Sequence, residues 1–241
     1  MPDSMIAYCG PAPVPDDIWA RWNFDPLLTT LLGLLALAVG RGRSSNARAG
    51  WAAIALMAVI FVSPLCALSS ALFSARVLHH VLLVGVVAPF LALAFPVSRA
   101  GSPPLAALVA TSAAILWLWH APGLYAWGLA SVPAYFLMQV SLLGSAWLMW
   151  RAILSPATPS GAALVALVAT IGLMGLLGAL IVFAPVPLYA VHLASTAPWG
   201  LDPLADQQLA GLLMWVPAIL PYLGVGLWLA WSSLRRSEPA L

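Results

Sequence analysis

The sequence predicts an all-α, polytopic membrane protein of seven transmembrane helices with the N-terminus outside and the C-terminus in the cytoplasm. Three observations carry that expectation. Of the 241 residues, 63% are hydrophobic and 7% are charged, against about 25% charged in soluble domains, and the mean hydropathy is +1.01. The apolar residues form continuous runs rather than alternating with a period of two, which excludes a closed barrel. The arginines fall mainly on one side of those runs.

The runs extend approximately over Pro26 to Gly40, Gly50 to Leu72, Val77 to Val97, Leu105 to His120, Pro133 to Ile153, Ala162 to Phe183 and Leu209 to Leu234. Most approach the roughly 20 residues that cross a hydrocarbon core, and the first is the shortest. Seven crossings place Arg41, Arg43, Arg48, Arg99, Arg151, Arg235 and Arg236 on one side, and Arg21 and Arg76 on the other. The arginine-rich side is cytoplasmic by the positive-inside rule. Residues 1–25 are polar and lack an apolar core, so they read as an external tail rather than a cleavable signal. Residues 26–236 form one transmembrane domain, and 237–241 a short cytoplasmic tail. Pro64, Pro89, Pro217 and Pro221 fall inside spans, where each kinks its helix and frees a carbonyl that needs another partner. Gly172, Gly175 and Gly178 give the sixth span a small face for close helix contact.

Composition removes several function classes. A net charge of +2 with no basic stripe excludes nucleic acid as a partner. All nine basic residues are arginine, so no lysine can form a retinal Schiff base. The chain has no HExxH motif, nucleophile elbow, P-loop or paired intramembrane carboxylates, which argues against hydrolytic catalysis and against an enzyme in general. Two cysteines, Cys9 and Cys66, are too few for a disulfide framework, and a pairing between them would be incidental.

The informative side chains are the four histidines, all of which the topology sends outward. His79 and His80 fall about one turn, roughly 5 Å, below the external start of the third span. His120 ends the fourth span and His192 lies in the external connection before the seventh. Neutral imidazole binds copper or zinc, and thiol or thioether groups add selectivity for Cu(I). A metal site at the external face would therefore draw on His79, His80, His120 and His192, with Cys66, Met214 and Asp206 at similar depth. The alternative is that the histidines bond carbonyls freed by proline or anchor the interface. Adjacent helical residues diverge by about 100°, so only one of His79 and His80 faces a given neighbour. Arg76, one turn earlier, opposes a metal cation unless a carboxylate such as Asp206 offsets it; Asp206 otherwise reads as an acid complementing its own helix dipole. Gln207, Gly211 and Met214 follow Asp206 along one helical stripe.

Several segments together carry a family resemblance: Ser63-Pro64-Leu65, the run from Leu72 to His80, Trp119-His120-Ala121-Pro122 with Tyr125, and Pro203 to Trp215. The last, with its D-Q-Q-L-A-G-x-x-M-W pattern, is the most specific. The chain resembles the CtaG-like cytochrome c oxidase assembly factors, in the seven-span bacterial branch associated with caa3-type oxidases. The resemblance implies a multi-pass protein of the bacterial plasma membrane that helps mature a haem-copper oxidase, at the step where copper enters the catalytic subunit. Oxidase subunits, the lipid bilayer and a periplasmic copper donor are the implied partners. The matching positions are His80, His120, Asp206, Gln207 and Met214. The departure is Arg76, where members of the family often carry a histidine.

Two rival functions remain. His80 and His120 could be axial ligands of a b-type haem in an electron carrier. A copper or small-solute permease would need mid-depth polar groups, for which the candidates are Thr111, Ser112, Gln139, Ser141 and Thr170.

Overall fold

The computed structural model describes residues 8–96 and 103–237. Ten α-helices account for most of these residues, and no strand occurs among them. They are α1 Pro26–Gly40, α2 Ala47–Phe61, α3 Pro64–Ala71, α4 Phe73–Ala94, α5 Leu105–His120, α6 Pro122–Leu129, α7 Val132–Ile153, α8 Ser160–Val182, α9 Pro203–Trp215 and α10 Ile219–Ser237. Residues 1–7 of the expected tail, Val97, Arg99 and 238–241, used above in placing spans and tails, lie outside the described residues.

Polar side chains set where these helices begin. Asp25 accepts from the Leu28 amide, Asn46 from Ala49, Ser63 from Leu65, and Asp202 from Leu204 and Ala205. Proline follows directly at Pro26, Pro64 and Pro203, where its missing N–H costs nothing.

By length and composition the chain has four to six candidate membrane spans. Four are single: α4, α7, α8, and the 33-residue stretch Pro203–Arg235 that contains α9 and most of α10. Two are bent pairs, α2 with α3 at 46° and α5 with α6 at 78°. Helix α1, at 15 residues, is apolar but shorter than a full span. The second expected run is therefore broken at Ser63-Pro64 rather than merely kinked, because Ser63 caps a new helix there. The fourth expected run ends at His120 as read from the sequence, and α6 turns sharply away after Pro122.

Helix α4 is the most enclosed of the candidate spans. Leu83–Val87 forms a π turn, with the Ala88 amide bonding the Leu83 carbonyl. In that register Pro89 leaves the Val84 carbonyl without its donor, and the indole N–H of Trp150 on α7 takes its place at 2.9 Å. The far end of α4 is held by Ser44 and Ser45, whose hydroxyls donate to carbonyls at Leu93 and Ala94. The loop of Arg41, Arg43 and Arg48 thus sits at the opposite end of this helix from His79 and His80.

Helices α8 and α9 meet through glycine. A Cβ on Gly178 would lie 2.9 Å from the Gly211 carbonyl oxygen, and one on Gly211 would lie 2.6 Å from that of Gly178. Gly175 faces Trp215 at 3.6 Å, whereas Gly172 meets nothing within 4 Å. The small face is used along its last two members only, and its counterpart is Gly211.

Candidate functional site

Helix α4 carries Arg76, His79 and His80 into the bundle, and all three are fully buried. Its first turn is capped from another helix. Both carboxylate oxygens of Asp206 on α9 are engaged, by the Phe73 amide at 2.7 Å, by the Ser74 amide at 3.2 Å and by the Ser74 hydroxyl. This moves the start of the helix to Phe73, so the two histidines lie about 9 Å along it rather than one turn deep. Asp206 lies in the first turn of its own helix, as the sequence indicated, but its oxygens are spent on capping α4, and it forms no ion pair with Arg76.

His79 and His80 diverge as helical neighbours must. His80 meets His120 edge to face with ring centroids 5.3 Å apart, and its Nε2 lies 3.3 Å from the Gln139 amide nitrogen. His79 packs edge-on to Phe61 of α2 at 4.7 Å. His120 donates from Nδ1 to the Leu116 carbonyl at 2.7 Å, which fixes the tautomer and leaves Nε2 as a bare lone pair. That Nε2, the Nδ1 of His80 and both ring nitrogens of His79 are buried without partners. Four ring nitrogens on three neighbouring histidines are thus without a protein partner, where buried polar atoms are nearly always satisfied.

Arg76 is buried in the same region. One terminal nitrogen donates to the Tyr135 hydroxyl at 3.2 Å, and the guanidinium stands 5.2 Å from the centre of that ring. Its Nε and other terminal nitrogen have no partner, and among the described residues no carboxylate lies within ion-pair distance.

The other sequence candidates are engaged elsewhere. His192 bonds the Tyr125 hydroxyl through Nε2 at 2.6 Å and the Ala71 carbonyl through Nδ1 at 3.3 Å. It lies in the connection between α8 and α9, where burial, and then the nearby Arg76 charge, push its pKa down to about 4. Met214 is buried beside Gly178 in the α8–α9 contact. Gln207 spends its side chain on the Leu188 amide and on the carbonyls of Ile181 and Val186. Cys66 is bonded to Cys9, at a Cα separation of 5.3 Å, so it presents no thiolate. The pairing is not incidental, because it fixes the N-terminal segment across this end of the bundle. Trp199 adds a bond to the Pro13 carbonyl, and Asn23 bonds the backbone of Phe61 and Val62. Among the described residues no three His, Cys, Asp or Glu side chains are grouped to hold a metal ion.

Tyr135 and Gln139, which the sequence reading did not include in the site, join Arg76 and His80 to α7. A lone amide in an apolar span was their one visible signal. The rival functions fit less well. Imidazoles in edge-to-face contact leave no slot for a porphyrin between them. Of the transport candidates, Gln139 contacts His80, Ser141 accepts from Trp119, and Thr170 bonds the Ala166 carbonyl. Ser112 and Thr170 line a cavity of about 20 Å³, room for roughly one water.

These features define a multi-pass helical membrane protein with an enclosed imidazole and guanidinium cluster near one end of its bundle. Residues 31–236 match the family model of the cytochrome c oxidase caa3 assembly factor. The chain belongs to that family, and the expectation raised by the motifs is met. Comparison with curated proteins and with solved structures returns no match.

Proposed function

We propose that this protein is a plasma-membrane assembly factor that holds copper as cargo between His80 and His120 at the periplasmic face and passes it to a haem-copper cytochrome c oxidase. Family membership supports the oxidase as client. The observation that carries the copper step is the pair of enclosed rings 5.3 Å apart, each with an unpartnered nitrogen. Imidazole suits copper, and Cu(I) accepts as few as two ligands. When Gln139 turns its amide oxygen toward the Nε2–H of His80, the His80 Nδ1 becomes a lone pair, as the His120 Nε2 already is. His79 turns toward Phe61 of α2 and is not grouped with them as a third ligand.

The arrangement of charge supports the orientation. The histidine end of α4 faces the tail, and its other end abuts the arginine-bearing loop, which the positive-inside rule assigns to the cytoplasm. Seven crossings follow if α1 spans with the others and each bent pair counts as one. A periplasmic copper donor is then the source of the cargo, and ligand exchange among imidazoles delivers it.

The test is copper retention by the purified protein with oxidase copper content measured in parallel. Wild type should hold Cu(I) against a competing chelator, and the His80→Ala, His120→Ala double variant should lose it and yield copper-deficient oxidase. Full copper retention in the double variant, with normal oxidase maturation, would refute the site. A Soret band in the purified protein would favour haem instead.

A further inference from the structure

The disulfide at the rim of this cluster has an unusual environment. Three polar side chains already approach its sulfurs: the Tyr135 hydroxyl lies 3.6 Å from that of Cys9, the Ser69 hydroxyl 3.9 Å from the same atom, and the Asn23 amide nitrogen 3.7 Å from that of Cys66. A disulfide sulfur carries no proton, so the Tyr135 hydroxyl donates to it while accepting from Arg76. The guanidinium thus stands two hydrogen bonds from the Cys9 sulfur, fully buried, with two unpartnered nitrogens and no counter-charge within ion-pair distance.

We propose that Cys9 and Cys66 form a second, redox-gated site for a soft monovalent metal ion, Cu(I), closed in the disulfide form and opened by an external dithiol. This rests on the copper-handling reading above. A thiolate of the reductant attacks the Cys9 sulfur, the less buried of the two. The Cys9–Cys66 bond breaks, and Cys66 leaves as a thiolate toward the Asn23 amide. The second thiol of the reductant resolves the mixed disulfide. Two electrons pass to the cysteines, the reductant becomes a disulfide, and its two thiol protons end on Cys9 and Cys66. Cu(I) then displaces both protons to water and is held by two thiolates.

The geometry and the charge both suit that product. Metal–thiolate bonds are about 2.3 Å, so the sulfurs need only swing apart to opposite sides of one ion, which residues with Cα atoms 5.3 Å apart allow by side-chain rotation. The bis-thiolate Cu(I) complex carries one negative charge, and Arg76 is the cation placed to balance it. Donors aimed at sulfur favour the thiolate form. Opening the disulfide also unpins the Tyr8 and Cys9 segment, whose Tyr8 ring stacks on Tyr135 at 4.6 Å, and so clears a way to the histidines.

The experiment compares full-length protein in detergent, oxidised or reduced and freed of reductant, loaded anaerobically with Cu(I) against a competing chelator. Reduced wild type should gain one copper equivalent and a near-ultraviolet thiolate-to-copper band that the oxidised form lacks. Cys9→Ser and Cys66→Ser should each lose both, while the His80→Ala, His120→Ala variant should keep the band. Arg76→Gln should keep the band with affinity lowered about tenfold. Reduced wild type that gains neither copper nor band overturns the proposal. Because that comparison needs no substitution, misfolding of a variant cannot mimic it. It also stands apart from the histidine test, since oxidised protein that binds copper through His80 and His120 leaves the first reading intact.

Discussion

Replacing Asp206 separates a capping acid from a metal ligand. Its carboxylate is 1% exposed and accepts two backbone amides and one hydroxyl at the N-terminus of α4. Asp206→Ala strands two buried N–H groups, each worth about 1–3 kcal/mol. It also removes the charge that complements the helix dipole, worth about 1 kcal/mol more. The sum is about 5 kcal/mol, with the Ser74 hydroxyl free to re-pair. Asp206→Asn keeps one acceptor oxygen and should cost about half as much. Thermal unfolding followed by tryptophan fluorescence reads the stability, and Cu(I) retention below the transition reads the site. The expected result is a graded fall in unfolding temperature, Ala below Asn below wild type, with copper retained by the Asn variant. An unchanged transition for Asp206→Ala, or loss of copper from a stably folded Asp206→Asn protein, would refute the capping role.

The glycine contact predicts a contrast along α8 and α9. Gly178→Ala and Gly211→Ala should each cost about 2 kcal/mol, because the new methyl meets backbone that side-chain rotation cannot move. Gly172→Ala meets nothing and should be neutral or slightly stabilising in the same unfolding assay. His192 predicts a pH dependence. Its folded pKa of about 4 lies below the usual 6.5, so the unfolded chain binds the extra proton and stability falls as pH drops from 6.5 toward 4. The full contribution is about 3 kcal/mol. The fall in unfolding temperature from pH 7 to pH 5 should be smaller in His192→Gln than in wild type, and an equal pH slope in the two would sink the assignment.

Where a local signal decides the structure, the sequence shows it. Continuous apolar runs locate α7 and α8 to within two residues, and His120 ends α5 because Ala121-Pro122 cannot continue it. Where the deciding partner is remote, the sequence shows nothing. The start of α4 depends on an acid 133 positions away, and the Cys9–Cys66 pairing depends on how the tail crosses the bundle. The histidines were legible as the scarce polar groups of an apolar chain. Their roles were not, because partner atoms decide which nitrogens stay free: His192 spends both of its own on Tyr125 and Ala71, while His79 spends neither.

Arg76 shows best why this cluster is not merely packing. A buried charge costs several kcal/mol unless a partner charge repays it, and hydrophobic replacements of similar volume are often neutral or stabilising. Here the guanidinium has one hydroxyl and one aromatic face, and the Asp206 carboxylate is committed to backbone amides. It lies on the first turns of α4, where the positive end of the helix dipole adds to the cost. The hydrogen bond and the aromatic face offset part of that cost, and negative charge beside the guanidinium would offset more. Neutral imidazoles cannot supply that charge, and the sulfurs of Cys9 and Cys66 can once they are reduced.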